Sequence, residues 1–225
     1  MIVSRVMTKN PVFVEPELSI NEARALMAKE KVGHLPVLKR GRFGDRQSDR
    51  VGDRLVGLVT KADLIKAGPS PATSLDMYEI SYLLSQMQVK EVMVKDVITV
   101  AENEVVEEAA RIMADRKIGC LPVMRDDLLV GIITDSDLFR VFVRAFGARR
   151  KGVRITLSMN EQIGQLARFA GAVAARGGNI VSFVTSEGDD LSRFKGTCKI
   201  ERLSRAEVEE AAKEVPGAQI EDIRE

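Results

Sequence analysis

Short apolar runs and helix-spaced stripes alternate along the first part of the chain. Pro11–Val14 and Val97–Val100 are brief β-branched runs that read as strands. Each precedes an apolar stripe at helical spacing: Ile20, Ala23, Leu26 and Met27 in one case, Val105, Ala109, Ile112 and Met113 in the other. Leu35–Leu38 and Leu55–Val59 read as apolar strands joined by a loop, and Leu121–Met124 and Leu128–Ile133 repeat them. A short helix is predicted after each pair. The order strand, helix, strand, strand, helix therefore occurs twice.

The two copies are also alike residue by residue. Val3-Ser-Arg-Val6-Met7 recurs as Val89-Lys-Glu-Val92-Met93, and Gly33-His-Leu-Pro-Val37 as Gly119-Cys-Leu-Pro-Val123. Leu55-Val-Gly-Leu-Val-Thr60-Lys-Ala-Asp63 recurs as Leu129-Val-Gly-Ile-Ile-Thr134-Asp-Ser-Asp137. A repeat of this size buries too little surface to close a core alone, so two copies facing one another are expected. The first copy carries an insertion within Lys39–Arg54, rich in charge, Gly and Ser, which reads as an exposed, mobile loop. Gly68–Leu75 is a Pro/Ser linker, and Asp76–Gln88 a helix whose stripe is Ile80, Leu83, Leu84 and Met87.

Beyond the repeats the pattern changes. Arg154–Met159 alternates as a half-buried strand does. A helix from Ile163 is expected to turn Leu166, Ala167, Ala170, Val173 and Ala174 inward, and Gly177-Gly178 to stop it. Ile180–Thr185 reads as a strand, Glu187–Asp190 as a turn and Phe194–Leu203 as a strand. Ser204 with Glu207 forms a capping box for a helix carrying Val208, Ala211, Ala212 and Val215, and Gln219–Ile223 closes a βαββαβ order of ferredoxin-like type. The fold class is α+β. The expected domains are a first repeat at 1–67, a linker and helix at 68–88, a second repeat at 89–146 and a C-terminal domain at 153–225.

Composition narrows the chemistry. Lys plus Arg total 34 against 33 Asp plus Glu, which argues against a surface built to bind polyanions generally. His34 is the only histidine, so zinc sites built on His pairs are excluded, and no metal site is nominated. The two cysteines, Cys120 and Cys198, form no CxxC pair and suit reduced thiols. There is no P-loop and no dinucleotide fingerprint. The first residues lack the apolar core of a signal peptide, and no apolar run is long enough to span a bilayer. A cytoplasmic location is expected, with no catalytic residues and no catalytic cofactor.

Thr60-Lys-Ala-Asp63 and Thr134-Asp-Ser-Asp137 stand where helices begin. A hydroxyl followed three positions later by a carboxylate is a capping arrangement worth about 1 kcal/mol, and it needs no ligand. The same groups can bind one, because the hydroxyl can meet a phosphate and an acceptor-only carboxylate can take both hydroxyls of a ribose.

The repeated Met7/Met93, Gly-x-Leu-Pro-Val and Gly-x-x-Thr-x-x-Asp segments resemble the CBS domain, and their tandem resembles a CBS pair, or Bateman module. The linker helix is similar to that of the subgroup named after the acetoin-utilisation accessory protein. The resemblance implies an adenosine-containing ligand (AMP, ADP, ATP or S-adenosylmethionine) and assigns ribose and phosphate contacts to Thr60, Asp63, Thr134 and Asp137. It places adenine against Val12, Ile98 and Thr99. Gly33, His34, Leu35, Gly119, Cys120 and Leu121 then face the same cleft, with His34 the residue best suited to phosphate.

Gly164-x-Leu166-x-x-Phe169-x-x-x-Val173-x-x-x-Gly177-x-Asn179-Ile180 resembles the first helix and turn of an ACT domain, with Ile163 where the family has proline. That implies self-association and a possible amino-acid site at Gly164, Asn179 and Ile180. The expectation is a regulatory sensor, a homodimer that is not an enzyme, whose CBS pair is coupled to the ACT-like domain and whose regulated partner is a separate protein. Two alternatives stay open. One is a structural or partner-binding adaptor with vestigial pockets. The other is a nucleic-acid-associated regulator using the basic stretch at 140–154, against which the lack of aromatic platforms weighs.

Overall fold

The computed structural model describes residues 1–39, 54–67, 82, 86–188 and 192–225. The insertion at 40–53, the Pro/Ser linker, most of the helix expected before Gln88 and part of the turn after Glu187 lie outside the described residues. The chain divides into two units, Met1–Leu138 and Phe139–Glu225, with the division falling inside one helix.

In the first unit, helix α1 (Ile20–Glu30) opens on a capping box in which the Glu22 amide donates to Ser19 Oγ at 3.2 Å and the Ser19 amide to the Glu22 carboxylate at 3.1 Å. With β1 (Thr8–Lys9) ahead of the helix, β2 (His34–Lys39) and β3 (Arg54–Thr60) follow as an antiparallel pair, and α2 (Lys61–Lys66) closes the first half. The second half runs α3 (Val89–Val92), β4 (Val100–Ala101), α4 (Val106–Arg116), β5 (Cys120–Arg125), β6 (Leu128–Thr134) and α5 (Asp135–Ala145). The sheet register slips at Val37/Leu38 and again at Val123/Met124, the same place in both copies.

Two expectations are corrected. The run Pro11–Val14 pairs only at Val14, parallel to Val37, and the run Val97–Val100 yields a strand only at its last residue. Val14 is buried and Phe13 exposed, so the alternation holds without a ladder. The helix stripe of the second copy starts one residue late: Val105 is the exposed N-cap, and Val106 takes the buried place that Ile20 holds in α1.

The halves exchange their leading segments. The Val3 and Ser4 amides donate to the carbonyls of Glu104 and Glu102 at 2.9 Å each, and Val106 donates to Met1 at 2.9 Å. The equivalent bonds run the other way across the unit: Val89 to Leu18 and Lys90 to Pro16, both 2.9 Å, and Ile20 to Met87 at 3.0 Å. β1 pairs with β6, and Val94 pairs with Leu58 of β3. Each exchange is seated by a methionine over a glycine. A Cβ on Gly57 would collide with Met93 Sδ and stand 3.1 Å from the Val94 carbonyl; one on Gly131 would collide with Met7 Sδ and stand 3.0 Å from the Thr8 carbonyl. Consequently Val89 is buried in the core of the first half beside Ile20, Leu35 and Leu64. Leu58, Cys120 and Ile132 pack where the two halves meet.

The second unit holds β7 (Val153–Asn160), α6 (Gln165–Ala175), β8 (Asn179–Glu187), β9 (Arg193–Glu201), α7 (Arg205–Lys213) and β10 (Gln219–Arg224). This is the expected βαββαβ order, in one antiparallel sheet ordered β10-β7-β9-β8. Ser204 and Glu207 form the expected capping box, and Val208, Ala211, Ala212 and Val215 are buried. Helix α6 is turned from its expected orientation. Gln165, Phe169, Ala172 and Val173 face the core, while Leu166, Ala167, Ala170 and Ala174 face outward. Phe169 buries more area than any one of the outward-facing alanines, and with Val173 it sets the inward face.

Replacing Gly131 with Ala is expected to cost about 1–3 kcal/mol, the range for overpacking. Met7→Ala should recover part of that cost by vacating the space. Urea unfolding of both single variants and the double variant checks this; strictly additive losses would contradict the lock.

Candidate functional site

Thr60 ends β3 and caps α2. Its backbone N–H and its Oγ1 both donate to Asp63 Oδ2, at 2.9 and 2.7 Å, and the Asp63 amide donates back to Thr60 Oγ1 at 3.2 Å. Thr134 and Asp137 repeat the arrangement at the start of α5, with both bonds at 2.8 Å. Both motifs thus take up the capping arrangement expected of them. Both Thr60 bonds fall on one carboxylate oxygen, so Asp63 Oδ1 is the acceptor that could meet a ribose.

A cleft of about 570 Å³ lies against the first of these caps, within the roughly 300–1,000 Å³ common for small-molecule sites. It gathers Gly33, His34, Thr60, Asp63, Ile98, Gly119 and Cys120 of the residues expected from sequence, together with Lys61, Asp96 and Lys117. Ile98 belongs to the second copy and Thr60 to the first, so the wall comes from the partner half, as the exchanged segments require. Lys61 and Asp96 lie within the repeated segments, but nothing in their own spacing marks them as cleft residues.

The remaining expected residues lie elsewhere. Leu35 and Leu121 are fully buried, Val12 packs against the first core, and Thr99 is exposed. Thr134 and Asp137 sit at the other cap, with Asp137 almost wholly buried. Lys31 and Lys117 take left-handed backbone conformations as the C-caps of α1 and α4.

Burial holds the His34 imidazole below its ordinary pKa of 6.5, opposed by the nearby Asp135 and Asp63 carboxylates. It is thus a neutral donor or acceptor at neutral pH. Burial, helped by Asp135, pushes the Cys120 thiol up to about 12, and burial alone does the same to Cys198. Neither is a reactive thiolate near neutrality.

In the second unit a cavity of about 1020 Å³ is lined by Gly164, Gln165, Leu166 and the strand ends at Thr185–Gly188 and Arg193. Gln165 is buried, and its Oε1 has no hydrogen-bond partner among the described residues. Asn179 and Ile180 lie at the other end of α6, so one chain does not bring them together with Gly164. The basic stretch is partly neutralised, since Arg150 makes two 2.9 Å bonds to Glu201 and Arg154 pairs with Asp222 at 2.6 Å. No helix among the described residues is long and apolar enough to cross a membrane.

The family model of the CBS domain matches residues 3–70 and 89–144, more than half of the chain. The inosine-5'-monophosphate dehydrogenase of Korarchaeum cryptofilum is 34% identical over 148 residues, covering 65% of this chain and 25% of the dehydrogenase. The chain thus spans about a quarter of that relative's length. Among solved structures, a Vibrio cholerae protein designated an acetoin utilization protein (AcuB) is 31% identical with a TM-score of 0.50, covering 66% of this chain and 95% of its own. The CBS domain pair of protein MJ0100, solved in complex with 5'-methylthioadenosine and S-adenosyl-L-methionine, is 26% identical with a TM-score of 0.49, covering 67% and 98%.

Because His34 is held below 6.5 in the folded protein, the unfolded chain binds the proton first as pH falls. The stability His34 contributes is complete above about pH 6.5 and is lost as pH falls through its folded value. Urea midpoints at pH 7.5 and 5.5 should show this loss, and His34→Gln should flatten it. An equal loss in the variant would contradict the assignment.

Proposed function

The chain belongs to the CBS-domain family, and we propose that it is a regulatory sensor whose CBS pair binds an adenosine-containing ligand in the cleft beside Thr60 and Asp63. The observation that carries this reading is the convergence of Asp63, Ile98, Lys61 and Lys117 on one cleft of ligand size. Asp63 accepts the ribose hydroxyls through Oδ1, Ile98 offers an apolar surface to the base, and the Lys61 and Lys117 ammonium groups meet phosphate, joined by Thr60 Oγ1 when its proton turns from Asp63 to the phosphate. Asp63 also caps α2, so an empty site stays folded. AMP, ADP, ATP and S-adenosylmethionine all carry the adenosine part that this arrangement addresses. The dehydrogenase match is confined to a quarter of that enzyme and transfers no catalytic role.

The C-terminal unit is read as a ferredoxin-like, ACT-like domain that self-associates. The strand order β10-β7-β9-β8 supports the fold, and the outward apolar face of α6, with Ile163 fully exposed, supports a homodimer. The cavity at Gly164 is its candidate amino-acid site. Helix α5 begins at the Thr134–Asp137 cap and ends in the second unit, which makes it the covalent element through which ligand binding would bias the C-terminal domain. The adaptor reading rests on that same exposed α6 face and requires no ligand.

Thermal unfolding of the full chain with AMP, ADP, ATP and S-adenosylmethionine separates the two. A ligand at about 100 times its Kd adds roughly 2.7 kcal/mol, and each kcal/mol moves Tm by roughly 2–4 °C at this chain length. At least one ligand is expected to shift Tm, and Asp63→Asn to remove its effect at this cleft. No shift with any of them favours the adaptor.

A further inference from the structure

Helix α5 ends on a glycine. The Ala148 amide donates to the Val143 carbonyl and the Gly147 amide to the Arg144 carbonyl, both at 3.0 Å, and Gly147 takes the left-handed conformation with φ +60°. The Arg150 amide then donates to the Gly147 carbonyl at 2.8 Å, so the chain turns sharply once the helix is over. A Cβ on Gly147 would stand 3.3 Å from Ser182 Oγ and 3.4 Å from Val181 Cγ1, which seats this turn against β8, the edge strand of the C-terminal sheet. Val181 lies at the irregularity in that strand's register.

The turn gathers arginines. Within the second unit, a cavity of about 540 Å³ is lined by Arg140, Arg144, Arg149 and Arg150 together with Phe139 and Val181, and no carboxylate is among its lining residues. Arg150 is committed to Glu201, whereas Arg144 and Arg149 are exposed and make no ion pair among the described residues. The helix dipole accounts for Arg144 in the last turn of α5. It does not account for Arg149, which lies beyond the helix.

The expected lack of an aromatic platform beside this basic stretch is corrected by the fold. Phe139 is 69% exposed and Phe142 56%, three positions apart on one helix face. Phe142 is braced by the half-buried Phe146, their ring centroids 4.4 Å apart. Large rings left in water mark a recognition surface. Each ring offers a face on which any base stacks, and each guanidinium a planar fork for a phosphate. Two rings on successive turns call for more than one base, which a strand supplies and a single nucleotide does not.

We propose that the end of α5 and the cavity beside it bind single-stranded nucleic acid, with bases stacked on Phe139 and Phe142 and phosphates held by Arg144 and Arg149. A duplex, whose bases are already stacked on one another, has no free face to offer the rings. The surface lies wholly within the second unit and does not depend on the sensor reading of the Thr60 cleft.

The chain has no tryptophan, so Phe139→Trp installs a single reporter that keeps a stacking face. Oligothymidylate of about ten nucleotides should quench its emission on binding to the full chain. Followed by anisotropy, the same strand should bind the native chain with a log K against log salt slope of about −1.4 or steeper, at roughly −0.7 per phosphate engaged. Phe139→Leu, which keeps apolar volume without the aromatic face, should weaken binding about tenfold. Arg144→Gln combined with Arg149→Gln should weaken it and flatten the slope by about 1.4. Urea midpoints equal to the native one exclude unfolding as the cause.

No binding of oligothymidylate would overturn the proposal. Binding that leaves the Trp emission unquenched, or that Phe139→Leu leaves as tight as before, would also overturn it, because the strand would then be held elsewhere or by charge alone. A duplex bound as tightly as the strand would do the same. A native dimer that Phe139→Leu dissociates, with no strand bound, would assign this face to a second copy. Oligothymidylate carries no adenosine, so none of these outcomes bears on the Thr60 cleft.

Discussion

The first unit depends on an exchange of backbone between its two halves. Residues 1–9 hydrogen-bond to the second half and residues 87–94 to the first, through matching sets of main-chain bonds. These bonds satisfy amides at the starts of α1 and α4 that would otherwise lack partners within the helix. They also bring buried side chains with them, Val3 in one direction and Val89 in the other. Neither half has a complete core without the other, and separating them would expose apolar surface and open donors together. Met7 over Gly131 and Met93 over Gly57 fit because those glycines leave no Cβ in the way.

The same exchange sets the site. Because residues 94–98 lie against β3, the Thr60–Asp63 cap receives its apolar wall from the opposite copy, and Gly119 and Cys120 reach the same cleft. A change in the relative orientation of the halves would therefore move one wall of the cleft against the other. A ligand spanning both walls binds one orientation better than another, which is the differential affinity that any coupling requires. Asp63 is suited to such a site because its cap needs only one carboxylate oxygen.

Much of this was legible in the residues. The repeat announced itself through Thr60-x-x-Asp63 and Thr134-x-x-Asp137, and the capping box at Ser204 came from spacing alone. Period and capping are local properties, and local properties survive in sequence. What sequence could not convey was non-local. Which strand run faces which cap depends on the exchange, so Ile98 joins Thr60 while Val12 does not. Leu35 and Leu121 lie inside motifs that border the cleft, yet alternation along β2 and β5 turns their side chains into the cores. In α6 the count of apolar positions favoured the alanine face, but the volume of Phe169 decided the orientation.

The central claim is that one ligand site is assembled from both halves. Amide chemical-shift mapping of the full chain during an adenosine titration reads this directly. The account predicts concerted shifts at Thr60–Asp63 together with Val97–Ile98 and Gly119–Cys120, at one common Kd. Shifts at Thr60–Asp63 accompanied by Val12, with Val97–Ile98 unmoved, would contradict it.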